Sequence, residues 1–151
     1  MGSNNRHLST KPFRILIADD DAEDIEFART SFEENNLPVE VNDVEDGQLL
    51  MDHLRKKAKE QNLQALPQLI IMDINMPRKD GFEALKEIKE DNDFCRIPVV
   101  VLSTSSSSKD IEKAYELGAN CYVTKPKTAT DWARTMGDLG RFWIQCATWS
   151  I

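Results

Sequence analysis

Four places in this sequence could do chemistry that apolar side chains cannot: the run Asp19-Asp20-Asp21, the single Asp73, the hydroxyl of Ser103 and the ammonium of Lys125. Each stands at the end of a short apolar segment: Phe13–Ala18, Leu69–Asp73, Pro98–Leu102 and Cys121–Thr124 in turn. Carboxylates brought together repel and raise each other's pKa unless a cation sits among them. A hard divalent cation takes oxygen ligands, and Mg2+ uses one or two carboxylates with waters and a phosphate oxygen. Two carboxylate sites, a hydroxyl and an ammonium on one edge form a constellation suited to phosphoryl transfer. Singly these signals are weak. Asp21 has the type and place of a helix cap, Ser103 lies in a Ser-rich loop, and a lone lysine is usually a surface charge. Their weight comes from standing together at the ends of such segments.

The four segments are short, rich in β-branched residues and nearly continuous, as strands buried on both faces are. Residues 39–44 alternate apolar and polar instead, the pattern of a sheet edge with one wet face. Helical faces lie between the segments. They are formed by Ile25, Ala28 and Phe32, by Leu50 and Leu54, by Phe82, Leu85 and Ile88, and by Ile111, Ala114 and Leu117. Asp80-Gly81 and Ser107-Ser108 suit helix starts, and Gly118 suits a stop. A last helix is predicted over about 130–146, with Gly137 and Gly140 counting against its regularity. Five repeats of strand then helix imply an α/β fold, a parallel sheet covered on both faces with right-handed crossovers. Ligands of such sheets sit at the carboxyl ends of the strands, where the four chemical groups fall.

At 151 residues the chain fits one domain. Its predicted bounds are 12–147, with polar tails at 1–11 and 148–151. No run approaches the ~20 apolar residues that span a bilayer, and no apolar stretch near the start suggests a signal peptide. Cys95, Cys121 and Cys146 are three and far apart, which argues against a disulfide framework and a zinc site. They read as reduced thiols in a cytoplasmic protein. A net charge of −7 repels nucleic acid, and the basic run Arg55–Lys57 reads as a solvated helix face. Neither a nucleic acid nor a membrane is expected as a partner.

Four stretches, in order, resemble the response-regulator receiver family. They are Ile15-Leu16-Ile17-Ala18-Asp19-Asp20-Asp21, Leu69–Pro77 with Asp80-Gly81, Pro98–Thr104, and Gly118–Pro126. The resemblance covers about residues 12–147 and implies a CheY-like, doubly wound five-stranded sheet in the flavodoxin-like order 2-1-3-4-5. It implies a two-component switch that takes a phosphoryl group from a histidine kinase onto Asp73, not a turnover enzyme. Mg2+ would be held by Asp20 and Asp73, with the backbone carbonyl of Asn75 and support from Asp19. Lys125 would pair with Asp73 and then with a phosphoryl oxygen, and Ser103 would hydrogen-bond another. Ser103 and Tyr122 would be the switch pair, Tyr122 turning from exposed to buried. Pro77 would set the turn after the third strand, Gly81 would open the next helix, and a cis bond at Pro126 would aim Lys125 inward. Ser103 stands where many relatives have threonine, and Thr104 where many have a smaller residue. Asn75 and Ser105 occupy positions that tune phosphoryl lifetime.

Residues 119–126 and Phe142-Trp143 most resemble the single-domain regulators that partner cyanobacterial phytochrome kinases. That likeness implies a homodimer through the last helix and fifth strand, with output through protein contacts and no attached output domain. Trp132, Met136, Leu139, Trp143 and Cys146 form a core-like stripe, while Phe142 and Trp149 add apolar surface beyond it. Three rival readings fit less well. A haloacid-dehalogenase phosphatase needs a second carboxylate two residues after its nucleophile, and Asn75 stands there. A flavodoxin-type mononucleotide binder needs a phosphate-cradling loop where this chain has three aspartates. A degenerate receiver would lack the acceptor or the lysine, and both are present.

Overall fold

The structure, a computed structural model, describes residues 11–61 and 63–147. Five strands, β1 (Phe13–Ala18), β2 (Val39–Val44), β3 (Leu69–Met72), β4 (Val99–Ser103) and β5 (Cys121–Thr124), form one sheet. All pairs are parallel, and the order is β2-β1-β3-β4-β5. Helices α1 (Ala22–Glu34), α2 (Gly47–Gln61), α3 (Gly81–Glu90), α4 (Ser108–Glu116) and α5 (Ala129–Arg141) follow the strands in turn.

Strand side chains alternate between two cores, as the pleat requires. Leu16, Ala18, Ile70, Met72, Val99 and Val101 face α2, α3 and α4 through Leu50, Leu54, Leu85, Ile88 and Ala114. Ile15, Ile17, Leu69, Ile71, Val100 and Leu102 face α1 and α5 through Ile25, Ala28, Phe32, Trp132 and Met136. Each Val, Leu, Ile, Phe or Met among them contributes about 1.5–3 kcal/mol by leaving water. Phe27 and Trp132 stack at 5.7 Å between ring centroids and join α1 to α5.

The helix signals act as their chemistry requires. Asp21 caps α1 by accepting from the N–H groups of Glu23 and Asp24. Asp80 and Glu83 form a capping box at α3, and the Ser107 hydroxyl accepts from Asp110 N at α4.

Four details differ from the sequence-based expectations. β5 is only half-buried instead of covered on both faces, because the order 2-1-3-4-5 leaves it at the second edge of the sheet. α5 is regular through Arg141 and ends in a π-helical turn, Phe142–Cys146. Its glycines are there for close packing: a Cβ at Gly137 would lie 2.4 Å from Asn35 Oδ1, and one at Gly140 would lie 2.5 Å from Leu37 Cδ1. The stripe on this helix is buried at Trp132 and Met136, half-exposed at Leu139 and Trp143, and exposed at Cys146. The peptide bond before Pro126 is trans, since no cis bond occurs among the described residues.

Candidate functional site

Register builds the site. Ala18 pairs with Met72 at the last rung of β1 and β3, so Asp19 and Asp73 stand side by side just past it. The Asp73 N–H donates to Ala18 O at 2.9 Å and fixes that placement. Ser103 pairs with Thr124 at the end of β4 and β5, and the Lys125 N–H donates to Ser103 O at 2.8 Å. The local hydrophobic pattern therefore delivers all four strand ends to one edge.

The side chains converge there. Lys125 Nζ lies 2.8 Å from Asp19 Oδ2, 2.8 Å from Asp73 Oδ2 and 2.7 Å from Asp24 Oδ2. Asp19, Asp73 and Lys125 are all buried, at 3%, 6% and 8% exposure, so charges that would mean little on the surface interact strongly here. Lys125 reaches them with a trans bond behind it, because three carboxylates draw the ammonium inward. The other oxygens are used as well: Asp19 Oδ1 accepts from Asp21 N at 2.9 Å, and Asp73 Oδ1 accepts from Asn75 N at 3.1 Å.

Burial pushes the Asp19 carboxyl up to about 6, against the pull of Lys125 and the Asp21 amide and with a further push from Asp73. Burial alone lowers the Lys125 ammonium, but hydrogen bonds to Asp19, Asp24 and Asp73 outweigh it and leave that lysine above its ordinary value. Asp20 is exposed, yet Asp19, Asp20 and Asp73 each present an oxygen within 4.8 Å of the others. That all-oxygen, anionic donor set, with one carboxyl held above its ordinary value by burial and repulsion, fits a hard divalent cation.

Ser103 is fully buried, and its Oγ accepts from Ser105 N at 3.2 Å. Ser105 is a junction: its hydroxyl donates to Asp110 Oδ2 at 2.6 Å, and its carbonyl accepts from the Tyr122 hydroxyl at 2.7 Å. Tyr122 is thus half-buried and anchored inward rather than exposed.

Some contributors were not evident from the sequence. Asp24 reads as a first-turn acid favoured by the helix dipole, and nothing in its spacing announces the contact with Lys125. Gly81 does more than open α3: a Cβ there would lie 2.4 Å from Asp73 O, so only glycine lets the helix start abut the backbone of Asp73. Asp46 is buried and bonded to Arg78 Nε at 2.8 Å, and Gly47 N donates to Lys79 O at 2.9 Å. These bonds pin the turn before α2 to the loop that carries Asn75.

Comparison with known proteins agrees with this geometry. The response regulator receiver domain model matches residues 15–134. Response regulator Rcp1 of Synechocystis is 35% identical over 140 residues, covering 93% of this chain and 95% of Rcp1. A probable methanogenesis regulatory protein, FilR2 of Methanothrix harundinacea, is 32% identical over 88% of this chain and 84% of its own length. The phosphorylated cyanobacterial phytochrome response regulator RcpA superposes with a TM-score of 0.81 at 38% identity, over 91% of this chain and 97% of RcpA. The Mn2+-bound form of Rcp1 superposes with a TM-score of 0.82 at 34% identity, over 93% of this chain and all of that one (100%). The phosphatase reading finds no support among these relatives.

Proposed function

The chain belongs to the response-regulator receiver family, and from that premise we propose that it accepts a phosphoryl group on Asp73 and signals through changed protein contacts. It is a response regulator of a two-component system. The observation that carries the proposal is the convergence of Asp73 with Asp19, Asp20 and Lys125 at the ends of three strands.

A carboxylate is a weak nucleophile, so it must be held in line and its developing charge neutralised. An oxygen of Asp73 attacks the phosphorus. The new P–O bond forms as the P–N bond to a kinase histidine breaks, and the electron pair stays on the imidazole. Asn75 N and Lys125 Nζ fix the Asp73 carboxylate from its two oxygens. Asp19, Asp20, Asp73 and the Asn75 carbonyl would hold Mg2+, which when bound neutralises charge on the phosphoryl oxygens. Lys125 donates to one phosphoryl oxygen. The Ser103 hydroxyl leaves the Ser105 amide for another, and the Tyr122 anchor on Ser105 changes with it. Asn75 offers no carboxyl for general acid–base turnover, which favours a switch over an enzyme.

The working domain is 12–147, and the donor is a histidine kinase. RcpA is a phytochrome response regulator, and a phytochrome-type kinase is the first candidate here too. A homodimer through α5 and β5 is supported by a groove of about 610 Å3 lined by Cys121, Val123, Leu139, Phe142 and Trp143, with Phe142 53% exposed. Trp149, the other aromatic expected on this face, lies outside the described residues. Among the described residues no helix is long and apolar enough to cross a membrane.

The test is intact mass after treatment with acetyl phosphate and Mg2+. Wild type gains one labile phosphoryl group. Asp73→Asn gains none and still folds, since losing one charge from a repulsive cluster does not cost stability. Labelling of Asp73→Asn as full as wild type would place the acceptor elsewhere.

A further inference from the structure

An ammonium has three protons, and Lys125 donates to three carboxylates: Asp19, Asp73 and Asp24. Two of these belong to the strand-end cluster that fits a divalent cation. The third, Asp24, comes from the first turn of α1 and is not among the three grouped carboxylates. Only 19% of its side chain remains exposed, so this bond is partly shielded from solvent.

We infer that Asp24 is a positioning residue that competes with the phosphoryl group for Lys125 and so restrains phosphoryl uptake. The inference depends on Asp73 being the acceptor. To donate to a phosphoryl oxygen, Lys125 must give up or share one of its three bonds. Asp19 is buried, and its second oxygen is held by the Asp21 amide. Asp73 is the reacting group itself. Asp24 is the remaining contact, and the one an arriving dianion can displace. Because Asp24 and Asp73 touch the same nitrogen, their carboxylates are close neighbours, and the Asp24 charge also opposes the approach of a dianionic donor. The contact ties the event to α1: when Lys125 turns to the phosphoryl group, the first turn of α1 loses its link to the end of β5.

The reaction to be read is phosphoryl transfer from acetyl phosphate. The P–O bond to acetate breaks, the electron pair leaves with acetate, and a new P–O bond forms to Asp73. Asp24→Asn keeps the shape and an acceptor but removes the charge, and Asp24→Ala removes both. Both are expected to take up phosphoryl faster than wild type, by roughly fivefold or more. Lys125→Ala sets the background for a double-mutant cycle. If Asp24 acts through Lys125, most of the gain from Asp24→Asn disappears in Lys125→Ala. A gain that persists undiminished means simple charge removal and overturns the positioning role. An unchanged or slower rate in both Asp24 variants, with thermal midpoints near wild type, also overturns it. Should one variant unfold, the other decides. Should wild type itself gain no phosphoryl group, the acceptor assignment fails first and takes this inference with it. Labelled wild type beside unaltered Asp24 variants refutes the inference alone.

Discussion

Burial holds the Asp19 carboxyl near pH 6 in the folded chain, against an ordinary 3.8. Between those values the folded state keeps a proton that the unfolded state has released. Stability therefore falls as pH rises from about 4 to about 6 and levels off above, the reverse of the usual carboxylate trend. A shift of this size is worth roughly 2–3 kcal/mol. Asp46 behaves oppositely: its hydrogen bond to Arg78 lowers its pKa, so its contribution is present above its ordinary value and fades in stronger acid. Urea midpoints measured from pH 4 to 7 without divalent cation should fall for wild type and fall much less for Asp19→Asn. A slope equal in both proteins would mean that Asp19 titrates normally. Mg2+ binding should strengthen over the same range, because a carboxyl must lose its proton to become a ligand. Titration of intrinsic fluorescence with Mg2+ at pH 5 and pH 7 reads this directly. At this scale the sequence is informative about Asp19, Asp20, Asp73, Ser103 and Lys125, since each ends a recognisable apolar segment. It is silent on Asp24, whose role depends on the approach of α1 to the end of β5, a tertiary fact without local signature.

Helix α5 shows how tertiary packing overrides local propensity. Glycine inside a helix costs about 1 kcal/mol relative to alanine, so propensity alone recommends Gly137→Ala. The added Cβ, however, would meet the amide of Asn35. That amide cannot easily yield, because its Nδ2 donates to Ser31 O at 2.7 Å and to Ala133 O at 2.9 Å, while its Oδ1 accepts from Arg141 Nη1 at 3.1 Å. Asn35 thus fastens the end of α1 to α5. Gly137→Ala should destabilise the protein by about 1–3 kcal/mol, seen as a lower urea midpoint. A midpoint equal to or above wild type would show that the α1–α5 contact relaxes freely. Most element types are legible from periodicity and caps, because strands with both faces buried and helices with one apolar face leave opposite patterns. The partial burial of β5 is not legible in its own residues, since Cys121, Tyr122 and Val123 look like residues of a strand buried on both faces. Cys121 and Val123 line the groove beside α5, while Tyr122 faces the other way and packs against the core under α2, α3 and α4.

Across the whole molecule, the acidic site and the apolar groove lie on different parts of the fold. The site sits at the carboxyl ends of the strands, while Leu139, Phe142 and Trp143 lie at the far end of α5 with the outer face of β5. A net charge of −7 keeps copies of the chain apart at long range, so a dimer requires apolar contact at short range. Phe142 and Trp143 pack edge to face with ring centroids 5.2 Å apart, which makes the exposed Phe142 a rigid anchor with little side-chain entropy left to lose. Phe142→Glu replaces that anchor with a charge that a partner surface would have to desolvate. The cost is several kcal/mol of association, and a weakening of about 100-fold or more is expected. The wild-type chain should run as a dimer by light scattering with the phosphodonor present, and Phe142→Glu as a monomer that still gains one phosphoryl group by intact mass. Retained labelling shows that the site is intact, so loss of the dimer can be assigned to the face alone. A wild-type monomer at high concentration, with and without phosphodonor, refutes the homodimer. A Phe142→Glu dimer as tight as wild type moves the interface away from α5.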